Sequence, residues 1–264
     1  MNFENLFKII KTKEEKKLEL KKEEKGDGLP LRFPNKGAQE EIAKKVNIQK
    51  IIDECEIGQL FGGERIINSI SRLVLELRDR IPQYDTILSD DASGRLISLI
   101  LKQLIDKKRK EEEKPNSKIY FLASGQHRDE KINSLIQDFI LKRKNELGNT
   151  LLVTEFIATG GSISPLVEVL EREGINFDLA TISVSRDPSE NYGKQIQRHL
   201  YYGEVGNSAL NLHNVHQYSG IEKNKEIMTP YPVALNKNDR DQRSVHNARQ
   251  DVKMIAEELS KLLE

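Results

Sequence analysis

The chain has 264 residues, enough for a sizeable core in one or two domains, and its 42 Lys and Arg are balanced by 42 Asp and Glu. Zero net charge removes the long-range field that draws a basic protein to nucleic acid or an anionic membrane, so neither is an expected partner. A single cysteine, Cys55, excludes an internal disulfide framework. No apolar stretch approaches the ~20 residues of a membrane span and no signal-like core opens the chain, so a soluble cytoplasmic protein is expected.

Residues 1–25 interleave Lys and Glu around one small apolar cluster (Phe3, Leu6, Phe7, Ile9, Ile10), a pattern of a charge-paired exposed helix or arm. Pro30 and Pro34 mark residues 26–37 as a linker. Residues 38–82 read as helical: a short pair over 38–56, then an amphipathic helix from Gly62 and Gly63 to Arg80. Its stripe is Ile66, Ile67, Ile70, Leu73, Val74 and Leu77, and Pro82 ends it. Cys55 reads as a small buried hydrophobe rather than a nucleophile.

From Tyr84 onward strands and helices alternate. Residues 86–88 form a strand, Ser89 to Arg95 a loop, and 96–105 a helix that runs into a solvated charge run over 106–114. A second strand (118–123), a helix (129–147), a third strand around 151–153, a helix (163–170) and strands at 177–185 and 199–205 follow. Alternating units with near-continuous apolar strands predict an α/β fold over 83–205, a mostly parallel sheet with helices on both faces. In such sheets ligands sit beyond the carboxyl ends of the strands. Residues 206–243 are irregular and polar, and with the helices before Pro82 they read as a hood; 244–263 close the chain as an amphipathic helix.

Residues 150–164, T-L-L-V-T-E-F-I-A-T-G-G-S-I-S, carry the chemistry. An apolar strand feeds Thr159-Gly160-Gly161-Ser162 at the start of a helix, which makes an anion site: glycines admit close backbone approach, unpaired N–H groups face outward, and two hydroxyls add donors. Glu155, upstream, suits ribose hydroxyls or Mg²⁺ rather than phosphate itself.

The segment resembles the phosphoribosyl-diphosphate (PRPP) motif of type I phosphoribosyltransferases, in which a hydrophobic run precedes two acids, three variable residues and Thr/Ser-Gly-x-Thr/Ser. The loop Thr159 to Ser162 matches in full, whereas the acid pair is Thr154-Glu155 and lacks one carboxylate. The resemblance implies a phosphoribosyltransferase-like fold and transfer of phosphoribosyl from Mg²⁺-PRPP to a small nitrogenous acceptor with release of diphosphate. Ala158, Thr159, Gly160, Gly161 and Ser162 would then bind the 5′-phosphate, and Glu155 the ribose hydroxyls and, with diphosphate, the Mg²⁺. The partners expected are PRPP and the acceptor, with a homodimer left open. A second reading, favoured by Thr154, is a non-catalytic regulatory protein that binds PRPP or a nucleotide on the same fold.

The first loop (Ser89, Asp90, Asp91, Ser93, Gly94, Arg95) stands where the family holds diphosphate. Arg95 offers a bidentate cation and the serines offer donors, while Asp90 or Asp91 equally suits an acidic cap for the next helix. Ser124 to Arg128 reads as a polar turn that could also meet phosphate. The family's lid hairpin between the second and third strands is replaced by a helix. His213 and His216 have one-turn spacing but no third ligand nearby, and Arg186-Asp187-Pro188 falls where acceptor recognition is expected.

Overall fold

Five strands pair in the order β2-β1-β3-β4-β5, all parallel. They are β1 (Thr86–Asp90), β2 (Lys118–Leu122), β3 (Thr150–Ile157), β4 (Phe177–Val184) and β5 (Leu200–Val205). The computed structural model describes residues 37–59, 63–90, 93–122, 130–185, 193–206, 221–223, 230–232 and 239–264, all within a compact unit that begins at Arg32. The charged arm of residues 1–25 lies outside the described residues, as do most of the expected linker and most of 206–243.

Helices α1 (Ala38–Lys45), α2 (Ile48–Glu54), α3 (Glu56–Gln59) and α4 (Gly63–Leu77) precede the sheet, with a 3-10 turn at Ile81–Gln83. Helices α5 (Arg95–Glu111), α6 (Glu130–Leu147), α7 (Ser164–Arg172) and α8 (Lys194–His199) connect the strands. A short antiparallel pair, β6 (Ile221–Lys223) with β7 (Pro230–Pro232), and helix α9 (Asp239–Ser260) follow.

Crossovers between parallel strands of one sheet keep a single, right-handed sense almost without exception. The chain steps one way from β1 to β2 and back the other way from β2 through β3, β4 and β5, so α5 must lie on one face and α6, α7 and α8 on the other. The core divides accordingly. Ile87, Leu151, Val153, Ala180 and Ile182 pack with α4, α5 and α9, while Leu88, Leu152 and Leu179 pack with α6, α7 and α8. Side chains at alternate strand positions feed alternate layers, and so β1, β3 and β4 are buried nearly throughout.

Helix α4 is part of this doubly wound body, since it lies against β4 and β5. A side chain at Gly203 of β5 would collide with the backbone carbonyl of Ser69, which measures how closely helix and strand approach. Two polar ties close the amino-terminal edge of the sheet. The Tyr84 hydroxyl donates to Asp178 Oδ2 at 2.7 Å, and Arg80 pairs with the same oxygen at 2.8 Å. Burial and the adjacent carboxylate push the Tyr84 phenol upward, so it stays a neutral donor.

The charge run 106–114 departs from expectation. Helix α5 continues through it to Glu111, and Arg109 is buried, donating to the carbonyls of Tyr84 (2.9 Å) and Pro115 (2.6 Å) and to Asp85 (3.0 Å). Asp106 accepts from both the amide and the hydroxyl of Ser117, at 2.8 and 2.7 Å. These charges order the turn into β2 rather than solvating a helix end. Helix α9 starts at Asp239, earlier than its apolar periodicity suggested.

Cys55 is buried, with its thiol 3.4 Å from Met254 Sδ. Burial, and then the Asp251 carboxylate, push its pKa to about 12, which makes it inert as a nucleophile. No helix among the described residues is long and apolar enough to cross a membrane.

Candidate functional site at the carboxyl edge of the sheet

The winding reverses between β1 and β3, neighbours in the sheet, and the helices that follow them lie on opposite faces. The two loops therefore part at the strand ends and leave a crevice, the usual ligand position in an open parallel sheet. The Ser89 to Arg95 loop borders it from β1 and the Ala158 to Ser162 loop from β3, as the sequence led one to expect.

The β3 loop is pinned at its base. Ser185, just past β4, donates its amide to the Ile157 carbonyl (3.0 Å) and its hydroxyl to the Ala158 carbonyl (2.6 Å). Gly160 has φ 81°, a left-handed conformation that a side chain would strain. Its carbonyl accepts from the amides of Ile163 (3.1 Å) and Ser164 (2.9 Å) and from the Ser164 hydroxyl (2.8 Å).

The turn thus folds onto its own carbonyl at the start of α7. The amides of Thr159, Gly160 and Ser162 donate to no partner among the described residues, and that of Gly161 makes only a long contact, 3.4 Å, to Thr159 Oγ1. Ala158, Thr159 and Gly161 are exposed, Ser162 is half-buried and Gly160 is buried. Amides with no partner among the described residues, at the positive end of a helix, are suited to a phosphate.

The β1 loop is packed more tightly. Ser89 is buried and its hydroxyl has no partner among the described residues. Asp90 is 5% exposed, and its Oδ2 accepts from Thr154 Oγ1 at 3.0 Å and from Ser93 Oγ at 3.2 Å. Gly94 permits the close approach of α5: a Cβ there would lie 2.6 Å from the Val153 carbonyl oxygen and 3.0 Å from that of Asp90. Gly94 itself is the N-cap of α5 and no side chain caps it, so Asp90 engages hydroxyls rather than serving as the helix cap. Arg95 is half-buried, with its guanidinium 3.9 Å above the Phe121 ring of β2. That contact sets Arg95 on the β2 side of the loop. Asp91 lies outside the described residues.

Glu155 is 1% exposed, on β3, and the Thr181 hydroxyl donates to its backbone carbonyl at 2.8 Å. Strand alternation turns Glu155 and Thr154 to opposite faces. Among the described residues no group of three or more His, Cys, Asp and Glu gathers to hold a metal ion. One or two carboxylates are the donor set that suits Mg²⁺ carried on substrate phosphates, since that ion keeps most of its ligands as water and phosphate oxygen. Glu155 fits that description as a single carboxylate, while Asp90 of the neighbouring strand lies on the face of Thr154, opposite that of Glu155.

Sequence reasoning missed two features at this edge. Ser183 on β4, like Ser89, carries a buried hydroxyl with no partner among the described residues. Arg65 of α4 directs Nε (2.7 Å) and Nη2 (2.6 Å) to Glu204 Oε1 on β5. Neither was visible in the sequence, because both follow from how α4 and the strands are placed. Ser124 to Arg128, Arg186 to Pro188, His213 and His216 lie outside the described residues. A scan against protein-family models finds no match, and no curated protein matches the chain.

Proposed function

We propose that the carboxyl edge of this sheet binds PRPP and that the protein transfers its phosphoribosyl group to a small nitrogenous acceptor. The observation that carries this reading is the Thr159 to Ser162 loop, which borders the crevice at the start of α7 and in which the amides of Thr159, Gly160 and Ser162 have no partner among the described residues. In this reading those amides and hydroxyls hold the 5′-phosphate, Glu155 accepts from the ribose hydroxyls, and the loop led by Ser89 and Arg95 meets the diphosphate.

The reaction needs little covalent chemistry from the protein. An acceptor nitrogen forms a bond to C1 of the ribose as the bond from C1 to the diphosphate oxygen breaks, and the electron pair leaves with diphosphate. Positive charge develops on the ring and is stabilised by nearby carboxylate, so catalysis is positioning and preorganised electrostatics. Mg²⁺, when bound, supplies neutralisation of the leaving diphosphate. Ser89 and Ser183, buried hydroxyls near strand ends without partners among the described residues, are donors in reserve for ligand oxygens.

Thr154, in place of an acid, supports a second reading in which the pocket binds PRPP or a nucleotide without turnover. Titration calorimetry of the full chain with Mg²⁺-PRPP tests binding, and diphosphate release across a panel of nitrogenous bases tests transfer. Binding with release supports the enzyme, binding without release for any base supports the regulatory protein, and no saturable binding removes both.

A further inference from the structure

We propose that Asp90 provides the second carboxylate of the sugar-and-metal end of this site, in place of the acid absent at position 154; the inference rests on the PRPP reading above. Ser89 pairs with Val153 in the parallel register of β1 and β3, so the next position sets Asp90 beside Thr154. Alternation then turns both side chains to the same face. The Thr154 hydroxyl donates to Asp90 Oδ2 at 3.0 Å, so the carboxylate stands one hydrogen bond from the place an acid at 154 would fill. Ser93 donates to the same oxygen at 3.2 Å and helps fix its orientation.

The pair also accounts for the threonine. An acid at 154 would put two carboxylates in contact on neighbouring strands, and like charges at that distance force one to stay protonated. Thr154 with Asp90 keeps one full negative charge and adds a donor that orients it. The carboxylate has in effect moved from the motif strand to its neighbour, where it keeps the face of position 154 at the carboxyl edge of the sheet.

The test is calorimetric titration of the full chain with PRPP over a range of Mg²⁺ concentrations, with inorganic phosphate as the second probe. Asp90→Asn is expected to weaken PRPP binding about tenfold or more and to flatten its dependence on Mg²⁺, while inorganic phosphate binds as before. The double exchange Asp90→Thr with Thr154→Asp returns the carboxylate to the motif strand and should restore PRPP affinity to within about threefold of the parent. Thr154→Asp alone should weaken binding, because it opposes Asp90.

Should the double variant fail to fold, Thr154→Val serves: it keeps the charge and loses the orienting hydroxyl, with an expected loss of about threefold and the Mg²⁺ dependence retained. An Asp90→Asn protein with the parent's PRPP affinity and Mg²⁺ dependence, when Glu155→Gln has lost binding, overturns the role of Asp90 and leaves the site standing. A parent chain that shows no saturable PRPP binding overturns both.

Discussion

Glu155 is fully enclosed at the end of β3, so its carboxylate has left bulk water and must be repaid by specific partners. If a ribose diol is one of them, Glu155→Gln should weaken Mg²⁺-PRPP binding by ~1.5–3 kcal/mol, tenfold or more, with inorganic phosphate binding unchanged. The amide conserves volume, so the loss reports charge and acceptor capacity. Calorimetric titration of both ligands measures it, and a change below about 0.5 kcal/mol would mark Glu155 as a packing residue.

Cys55 makes a separate prediction. Its pKa rises from 9.0 to about 12 because burial favours the neutral thiol. The folded state therefore gains stability below pH 9.0 that is lost as pH climbs toward about 12, where the unfolded chain has already ionised. Urea midpoints of the parent and Cys55→Ala, compared across that range, should show the parent losing its advantage. A thiol reagent should leave the native protein unmodified at neutral pH and label it on unfolding.

At the scale of elements, the strand-turn-helix unit of β3 and α7 was legible because it is local: an apolar run, two glycines and a periodic stretch lie within fifteen residues. The structure separates the two glycines. Gly160 is left-handed, whereas a Cβ at Gly161 would meet only Thr159 Oγ1 at 3.5 Å. Gly160→Val should abolish PRPP binding and lower stability by ~1–3 kcal/mol through backbone strain, read by titration and thermal melting. Gly161→Ala should melt within about 0.5 kcal/mol of the parent.

The tie between Asp90 and Thr154 was not legible, because it depends on the register of two strands far apart in the chain. Arg109 was hidden for a related reason. Within a run of charges nothing local distinguishes the one guanidinium that the fold turns inward to hold three groups at the sheet's edge. The Tyr84 and Asp178 pair shares this long-range origin. Tyr84→Phe removes the hydroxyl donor from the buried Asp178 carboxylate while leaving its pairing with Arg80, and should cost ~1–3 kcal/mol in urea unfolding.

At the scale of the molecule, alternation of strand and helix was enough to foresee a parallel α/β body, since near-continuous apolar strands are stable only when both faces are covered. What alternation did not reveal is how the helices before Pro82 join it: α4 covers β4 and β5 and brings Arg65 to Glu204 at the site's edge. The sheet order, with its reversal between β1 and β3, gathers loops from distant parts of the chain at one crevice. The central claim is that PRPP occupies that crevice with its 5′-phosphate on the β3 loop. Amide hydrogen exchange of the full chain, with and without Mg²⁺-PRPP, tests it most directly. The account predicts slowed exchange at Thr159 to Ser162 and at the end of β1; exchange unchanged there at saturating PRPP, or protection confined to other segments, would contradict it.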